Sequence, residues 1–289
     1  MHRVKLVGLA CLVLAFVAAP AGARRFRTPR NACVATAVTM YAACGNDVRD
    51  DLYTQKAICL NLTDKVERDE CVADARDERN ENTALCGEQF HARVDFCEAL
   101  GEDRYDPEVD PAAYDDDFAS PSNPNPYYPI QIGNHWEYAG GDETTTVDVL
   151  DKTKLIQGVT CVVVKDVVEA DGEVAEDTDD WIALRLDGAV DYFGELSMES
   201  ETFDGDDPEE PELVSIDGSF KAGRDGAKKG TVFLATPAVG DVYREEWALG
   251  EAEDGAKILS TTYGYGSDPS STCPRPQLSS TTCARTTAW

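Results

Sequence analysis

Histidine is scarce in this 289-residue chain, and the motifs of most enzyme classes are missing from it. Only His91 and His135 follow the first few residues, and neither has a second histidine or a thiolate pair nearby. The chain has no C-x-x-C pair and none of G-x-S-x-G, H-E-x-x-H, G-x-x-x-x-G-K-S/T or G-x-G-x-x-G. These absences argue against zinc chemistry, histidine-based catalysis and phosphate cradles. We therefore expect no catalytic residue, no metal and no cofactor.

Basic residues are also few, because 26 Lys and Arg stand against 55 Asp and Glu and leave a formal net charge of −29. This balance argues against nucleic acid as a partner, since phosphate backbones are bound by an excess of Lys and Arg. It is typical of a protein kept soluble outside the cell, with divalent cations as the alternative explanation. The most acidic loop, residues 204–212, lacks the spacing and the glycine of an EF-hand, so we expect a solvated loop.

Long apolar runs are limited to the N-terminus. Residues 1–23 combine a basic start at Arg3 and Lys5, an apolar run, and small residues at Ala21 and Ala23. This pattern predicts a secretory signal peptide that is cleaved after Ala23. No later stretch reaches the roughly 18 apolar residues of a membrane span. We expect a secreted or periplasmic protein, and loss of the two basic residues changes its net charge from −29 to −31.

The chain has ten cysteines, and six of them form a symmetric pattern. An oxidising compartment favours disulfides over thiolate metal sites. In a helix, the cysteine spacings of 11 and 15 residues rotate the side chain by only about 20° and 60° beyond whole turns. Three cysteines therefore lie along one stripe of each helix, and the two stripes face each other if the chain reverses near position 65. The predicted disulfides are Cys33–Cys97, Cys44–Cys86 and Cys59–Cys71.

The resulting antiparallel helical hairpin is expected over residues 31–100, which contain no proline. Asp64 with Glu67 three residues later resembles a capping box and starts the second helix. Gly45 and residues 80–82 weaken helices, so four short helices are an alternative to two long ones. The pattern is similar to the twin-cysteine hairpins of the coiled-coil-helix type, which have two disulfides instead of three. That resemblance implies a metal-free, disulfide-braced architecture and no activity.

An acidic, proline-rich segment follows the hairpin. Residues 101–126 contain eight acidic residues and five prolines, a composition typical of an extended, self-repelling linker. Tyr105, Tyr114 and Phe118 are spaced through it and offer a way to attach it to a neighbouring domain. Because such a linker provides little shared core, we expect the two domains to unfold separately.

Beyond the linker the composition changes to Val, Thr, Tyr, Trp and Gly in short runs. No helical period separates these runs, so residues 127–289 are predicted to form an antiparallel, meandering sheet. The turn signals are Asp171-Gly172, Asp187-Gly188 and Asp217-Gly218. The predicted fold class is α+β multidomain, with a disulfide-braced helical hairpin or short helical bundle followed by an antiparallel β-rich domain.

The start of the β-rich domain, NPYYPIQIGNHWEY at 125–138, resembles a known sequence pattern. It is similar to the "YFPL-x-x-G-N-x-W-x-Y" opening of a β-rich domain in exported bacterial proteins and lipoproteins. The matching positions are Tyr128, Pro129, Ile130, Gly133, Asn134, Trp136 and Tyr138. The resemblance extends to about residue 265 and implies a curved antiparallel sheet or an open barrel, with no established activity.

Three aromatic residues are candidates for stacking against a ligand: Trp136, Tyr138 and Trp181. Trp136 and Tyr138 project from the same side of one strand, where packing in the core is the alternative role. Asp179 and Asp180, beside Trp181, are the most suggestive pair of carboxylates, since glycoside hydrolysis needs only two. Charged positions in a β-hairpin are their alternative role.

Two classes of function are compatible with these features. The first is a non-catalytic binding or scaffold protein of the bacterial envelope, whose β-rich domain holds an apolar ligand or an envelope protein. The alternative is a carboxylate-based hydrolase that acts on a glycan. A cavity lined by Trp and Tyr would favour the first class. Two carboxyl groups about 5–10 Å apart in a cleft would favour the second.

Three further cysteines differ in their setting. Cys161 lies inside the apolar run TCVVVKD and is expected to be a buried free thiol. After Pro269 the chain is rich in Ser, Thr, Pro, Cys and Arg, and its last 19 residues contain no acid. This change indicates either a frameshift that truncates the sheet or a genuine tail with a Cys273–Cys283 disulfide.

Overall fold

A computed structural model describes residues 31–101, 104–262 and 283–287, the last range as backbone only. Two packed helices, α1 (Ala32–Leu60) and α2 (Lys65–Leu100), precede an antiparallel β-rich part, so the predicted α+β fold class is confirmed. Neither helix combines the length and the hydropathy that crossing a bilayer requires. The signal peptide, Cys273 and the side chain of Cys283 lie outside the described residues, and the predictions about them stay predictions.

Three nested disulfides join α1 to α2. They connect Cys33 with Cys97, Cys44 with Cys86 and Cys59 with Cys71, which confirms the predicted pairing. Their Cα–Cα distances of 5.8, 5.8 and 5.6 Å lie in the usual range for disulfides. Three such bonds indicate an oxidising, extracellular setting.

Side-chain caps set where both helices begin. Oδ1 of Asn31 accepts a hydrogen bond from the backbone N–H of Cys33 at 2.8 Å. Oδ1 of Asp64 accepts from Val66 at 2.7 Å and from Glu67 at 3.0 Å. The capping position that the sequence indicates near the reversal is therefore the one that starts α2.

Both helices run without a break through their weak positions. Gly45 lies inside α1, and residues 80–82 lie inside α2, so the hairpin has two long helices instead of four short ones. A glycine in a helix costs about 1 kcal/mol. A disulfide contributes about 2–4 kcal/mol, and one lies on each side of these positions. The cost of the weak residues is therefore offset locally.

The β-rich part forms two antiparallel sheets. The nine-stranded sheet contains β1 (Tyr114–Asp115), β2 (His135–Gly140), β3 (Glu143–Ile156), β4 (Val159–Ala170), β5 (Glu173–Arg185), β6 (Val190–Glu201), β7 (Glu212–Ser215), β8 (Phe220–Lys221) and β9 (Gly230–Phe233). The three-stranded sheet contains β10 (Val242–Arg244), β11 (Gly255–Ser260) and β12 (Cys283–Thr287). Strands β2 to β7 are neighbours in chain order, so the predicted meander is confirmed, and within the described residues the sheet is open.

Both faces of the large sheet are covered by the acidic segment that follows the hairpin. We call the faces the Val162 face and the Cys161 face, after adjacent residues of β4. Phe118 packs on the Val162 face, and Val109 and Tyr114 pack on the Cys161 face. Strand β1, in the same segment, pairs with β5. Aromatic residues thus attach residues 104–126 to the β-rich domain, and the segment does not extend freely.

Cys161 is a buried free thiol, as its sequence setting predicts. Burial raises the pKa of this thiol to about 12, because the apolar surroundings disfavour the thiolate. Since the thiolate is the reactive species, we expect iodoacetamide to leave Cys161 unmodified in the native protein. The same reagent should modify it in concentrated guanidinium chloride, and peptide mass spectrometry distinguishes the two results. Labelling of the native protein would contradict the burial.

Candidate functional site

A β-bulge in β6 decides which polar side chains meet on the Val162 face. Ile182 pairs with Tyr192 and Asp180 pairs with Glu195, so two residues of β6 oppose one residue of β5. Gly194 occupies the bulge at φ 129°, where a Cβ would lie 2.2 Å from a backbone oxygen of β8. Glycine is needed there because a side chain has no room. The bulge turns Glu195 to the same face as Tyr192 and Asp180.

Five acidic side chains form what we call the carboxyl cluster: Asp166, Glu176, Asp180, Glu195 and Glu246. Burial, together with repulsion between these groups, raises the pKa of Asp166 to about 6, that of Glu195 to about 7 and that of Glu246 to about 9. Burial also raises the pKa of Asp180 well above its ordinary value. The cluster therefore presents protonated carboxyl groups near neutral pH.

Hydroxyl groups bind two members of the carboxyl cluster. The Tyr192 hydroxyl donates to Oδ1 of Asp180. Oε1 of Glu176 accepts from Thr178 at 2.9 Å and from Ser197 at 2.7 Å. These bonds hold the carboxyl groups in place.

Two buried polar atoms, one beside the cluster and one within it, have no hydrogen-bond partner among the described residues. They are the hydroxyl oxygen of Tyr138 and Oδ1 of Asp166. Burial, followed by the nearby charge of Asp166, raises the pKa of Tyr138. In residues 31–101 and 104–262, no three His, Cys, Asp or Glu side chains are arranged to hold a metal ion.

The three aromatic candidates for ligand stacking lie on opposite faces of the sheet. Trp136 and Tyr138 pack against the core of the Val162 face, and the Trp136 ring lies 5.7 Å from that of Tyr128. Trp181 belongs to the Cys161 face, where Nζ of Lys154 lies 3.2 Å from its ring centroid. The structure therefore does not bring the three into one site.

The candidate carboxylate pair is divided in the same way, because adjacent residues of a strand point to opposite faces. Asp180 joins the carboxyl cluster. Asp179 instead forms ion pairs with Lys152 at 2.8 Å and with Lys165 at 3.3 Å. The two ion pairs lower the pKa of Asp179 against the opposing effect of burial.

Neither histidine contributes to the carboxyl cluster. His91 is exposed, with its ring 5.5 Å from that of Phe90. His135 is half-exposed and lies 2.8 Å from Oδ1 of Asp148. The acidic loop at 204–212 is exposed throughout.

A cavity of about 270 Å³ lies where the hairpin meets the β-rich part, and we call it the junction cavity. Its walls come from the first turns of α1, from the segment after α2, and from the chain around β9 and β10. The lining residues are Ala32, Cys33, Thr36, Arg104, Tyr105, Asp106, Lys228 and Trp247. Pockets for drug-sized ligands measure about 300–1,000 Å³, so this cavity suits a smaller compound.

Aromatic rings and charged groups lie side by side on the cavity wall. The rings of Tyr105 and Trp247 have centroids 5.5 Å apart and are tilted by 58°. Nζ of Lys228 lies 2.7 Å from Oδ1 of Asp106. The Tyr105 hydroxyl donates to the backbone oxygen of Lys229 at 2.9 Å, which fixes the orientation of its ring.

A buried arginine lies behind the Trp247 ring. Arg244 is 6% exposed, and its guanidinium carbon lies 4.1 Å from the ring centroid of Trp247 and 5.2 Å from that of Phe96. A cation in this position is attracted by the electron-rich ring faces. The same guanidinium carbon lies 5.5 Å from the ring centroid of Tyr105, so Arg244 contacts both aromatic rings of the cavity wall.

The contact between hairpin and sheet is tight beneath the cavity. Arg93 of α2 forms two hydrogen bonds with the carboxylate of Glu253, at 2.9 and 2.7 Å. The side chains of this ion pair are 10% and 3% exposed. Phe96 packs so closely on Gly255 that a Cβ there would lie 2.1 Å from the ring. The two domains are therefore joined by a buried interface.

Sequence reasoning singles out Tyr105 among the cavity residues but not as part of a site. Arg104 carries a detectable signal, since it is the only basic residue between positions 101 and 126. Lys228 and Trp247 carry no such signal, because lysine and tryptophan also occur at strand and loop positions that have no part in a site. Their role depends on where the hairpin docks.

Comparison with known proteins finds no family model, no curated protein and no solved structure that matches this chain. The resemblance to exported proteins with a β-rich domain therefore remains a prediction from the sequence.

Proposed function

We propose that this protein is an exported, non-catalytic binding protein of the bacterial envelope, and that its ligand occupies the junction cavity. The observation that carries the proposal is a 270 Å³ cavity with two aromatic rings and paired charges on its wall. Ligand sites typically combine such aromatic surface with a few polar groups that orient the ligand. The β-rich sheet uses its own apolar residues as core, so we place the ligand at the junction.

The hairpin has a definite role in this proposal. Its first turns supply one wall of the cavity through Thr36, and its disulfides keep those turns in place. The Arg93–Glu253 ion pair holds the hairpin against the sheet. A preorganised wall reduces the entropy that a ligand must overcome on binding.

A matched pair of threonines provides the test. Thr36 lines the cavity, whereas Thr39 lies one turn further along α1 and is exposed; both hydroxyls donate to the carbonyl four residues earlier, at 3.0 and 2.9 Å. We expect Thr36→Trp to fill the cavity and Thr39→Trp to leave it open. Native mass spectrometry of protein purified from its own host should show a bound small molecule in the parent and in Thr39→Trp, but not in Thr36→Trp. A parent without bound mass, or a Thr36→Trp variant that keeps it, would count against the proposal.

One observation favours a second candidate, the carboxylate-based hydrolase. Asp180 and Glu195 are cross-strand partners, the Tyr192 hydroxyl donates to Asp180, and the raised pKa of Glu195, about 7, suits a general acid. Release of nitrophenol from aryl glycosides by the parent, and its loss in Glu195→Gln, would support this candidate over the binding protein.

A further inference from the structure

We infer that the Cys161 face of the large sheet carries a second binding site, which takes the phosphate group of a small soluble compound. Lys154 of β3, Lys221 of β8 and Arg224 in the turn after β8 form this site, and we call them the cation cluster. The cation cluster is separate from the junction cavity and does not depend on the proposed function. Its basis is a concentration of unpaired positive charge in a protein with a net charge of −29.

The ring of Trp181 holds the two lysines of the cation cluster close together. Nζ of Lys154 lies 3.2 Å from its centroid, and Nζ of Lys221 lies 5.7 Å from it. The two nitrogens can therefore be no farther apart than the sum of these distances. Trp181 is 7% exposed and is fixed by the pairing of β5 with β4, so the lysines lie on a rigid surface.

Two turns that meet on this face bring Arg224 to the lysines. In the turn after β8, the backbone N–H of Arg224 donates to the carbonyl of Lys221 at 3.0 Å, and that of Gly223 donates to Ala227 at 2.9 Å. Gly223 lies directly against Gln157 of the turn between β3 and β4, because a Cβ on Gly223 would lie 2.8 Å from Nε2 of Gln157. Cations from two distant parts of the chain therefore converge where these turns touch.

The positive charge of the cation cluster is not balanced by the part of the chain that the structure describes. There, none of the three cations forms an ion pair or a side-chain hydrogen bond. An aromatic ring attracts a cation but has no net charge, so the contacts with Trp181 leave both lysine charges in place. Burial lowers the pKa of Lys154, and the charge of Lys221 lowers it further. Asp179 opposes this shift, but it already forms two ion pairs with other lysines.

Three unpaired cations favour a doubly charged oxyanion over a singly charged one. Lysine binds phosphate as a point charge, and the planar fork of arginine donates two parallel hydrogen bonds to it. A phosphate monoester carries a charge of about −1.5 to −2 at pH 7, whereas a carboxylate carries only one negative charge. An anion placed among the cations would also relieve their mutual repulsion.

The acidity of the rest of the molecule favours a small soluble ligand over a membrane. Charges more than about 8 Å away are largely screened at physiological ionic strength, so a single phosphate group mainly experiences the cation cluster. A surface of anionic lipids would instead place many negative charges close to the acidic residues that surround the cluster on a protein of net charge −29.

Calorimetric titration of the full chain at pH 8 tests the inference with three soluble probes. Glycerol 3-phosphate carries a dianionic phosphate group, acetate carries a single negative charge, and glycerol is neutral. We expect glycerol 3-phosphate to bind at least about tenfold more tightly than either of the others, since one charge-assisted contact accounts for such a factor. Phosphatidylcholine vesicles that contain phosphatidate present the same group on a membrane, and we expect the protein not to float with them.

A matched pair of lysines locates the site. Nζ of Lys56 on the hairpin lies 5.8 Å from the ring centroid of Tyr53, nearly the distance between Lys221 and Trp181, and both lysines are half-buried. Lys221→Gln should weaken the binding of glycerol 3-phosphate about tenfold or more, whereas Lys56→Gln should leave it unchanged. Arg224 is exposed, so Arg224→Gln should fold normally and weaken binding to a similar extent.

Several results would overturn the inference. These are absence of binding of glycerol 3-phosphate, acetate binding of equal strength, flotation with the phosphatidate vesicles, and unchanged affinity in both Lys221→Gln and Arg224→Gln. Thr36→Trp fills the junction cavity and should bind glycerol 3-phosphate as the parent does. Loss of binding in Thr36→Trp would place the phosphate at the junction and would also overturn the inference, whereas the proposed function is judged separately on the mass-spectrometric result.

Discussion

Arg93→Met is expected to lower the free energy of unfolding by about 3–5 kcal/mol, because it leaves the carboxylate of Glu253 buried without its cation. Glu253 is 3% exposed and would retain a hydrogen bond from the backbone N–H of Gly250 at 2.9 Å. One hydrogen bond compensates only part of the cost of a buried charge. The loss should appear as a lower midpoint of urea unfolding.

The same substitution should uncouple the two domains. The linker composition predicts that the two domains unfold separately, whereas the buried ion pair between Arg93 and Glu253 leads us to expect that they unfold together. Two spectroscopic signals can report on this coupling. The hairpin contains no tryptophan, so tryptophan fluorescence reports the β-rich part, and far-UV circular dichroism is dominated by the helices. We expect the two transitions to coincide in the parent and to separate in Arg93→Met.

Two control variants identify the cause. Arg93→Met combined with Glu253→Gln removes the unpaired charge and should recover a large part of the lost stability. Arg185→Met breaks an exposed ion pair with Asp187, whose side chains are 40% and 51% exposed, and should cost less than about 1 kcal/mol. Equal losses in Arg93→Met and Arg185→Met would show that the buried pair has no special role.

The second large effect concerns pH, and we expect the β-rich part to be less stable at pH 9 than at pH 5. Folding raises the pKa of Asp166 from 3.8 to about 6, and those of Glu195 and Glu246 from 4.5 to about 7 and about 9. The folded state therefore binds more protons than the unfolded state across this window. The stability that these three groups contribute is fully present when the pH is below their pKa values in the unfolded state. It is lost as the pH rises through their pKa values in the folded state. Above pH 5 the three shifts together amount to about 7 pKa units, or about 10 kcal/mol at about 1.4 kcal/mol per unit. Because these groups raise one another's pKa values, the shifts are not additive, and we expect a loss of at least about 3 kcal/mol.

A single neutral substitution should flatten this pH dependence. Glu246→Gln removes the carboxyl group whose pKa is raised to about 9, so it should stabilise the protein at pH 9 and have little effect at pH 5. Glu251→Gln, at an exposed glutamate nearby, is the matched control and should not change the slope. Thermal unfolding between pH 5 and 9 in high salt measures the effect, because salt screens the general repulsion but acts less on buried groups. A slope that is identical in the parent and in Glu246→Gln would contradict the role of the carboxyl cluster.

The features that depend on spacing along one element could be predicted from the amino-acid sequence. The positions of Cys33, Cys44 and Cys59 fall on one helical stripe, and their mirror partners fall on another, so the nested disulfides follow from helix geometry. The turn signals between β4 and β5 and between β5 and β6 likewise lie where the meander reverses. These features are local, or are related by a simple symmetry.

The candidate sites needed the tertiary structure because their partners are far apart in the chain. Strict alternation along β6 would place Glu195 on the opposite face of the sheet from Asp180. The bulge at Gly194 shifts the alternation by one residue and brings Glu195 to the same face as Asp180. Arg93 and Glu253 are 160 residues apart, and Asp106 and Lys228 are 122 residues apart. Nothing in the local pattern of either partner encodes such a contact. These contacts form only when the hairpin docks on the β-rich part. The hydrophobic pattern of each segment reports how that segment packs within its own helix or strand, so it contains no information about the junction cavity.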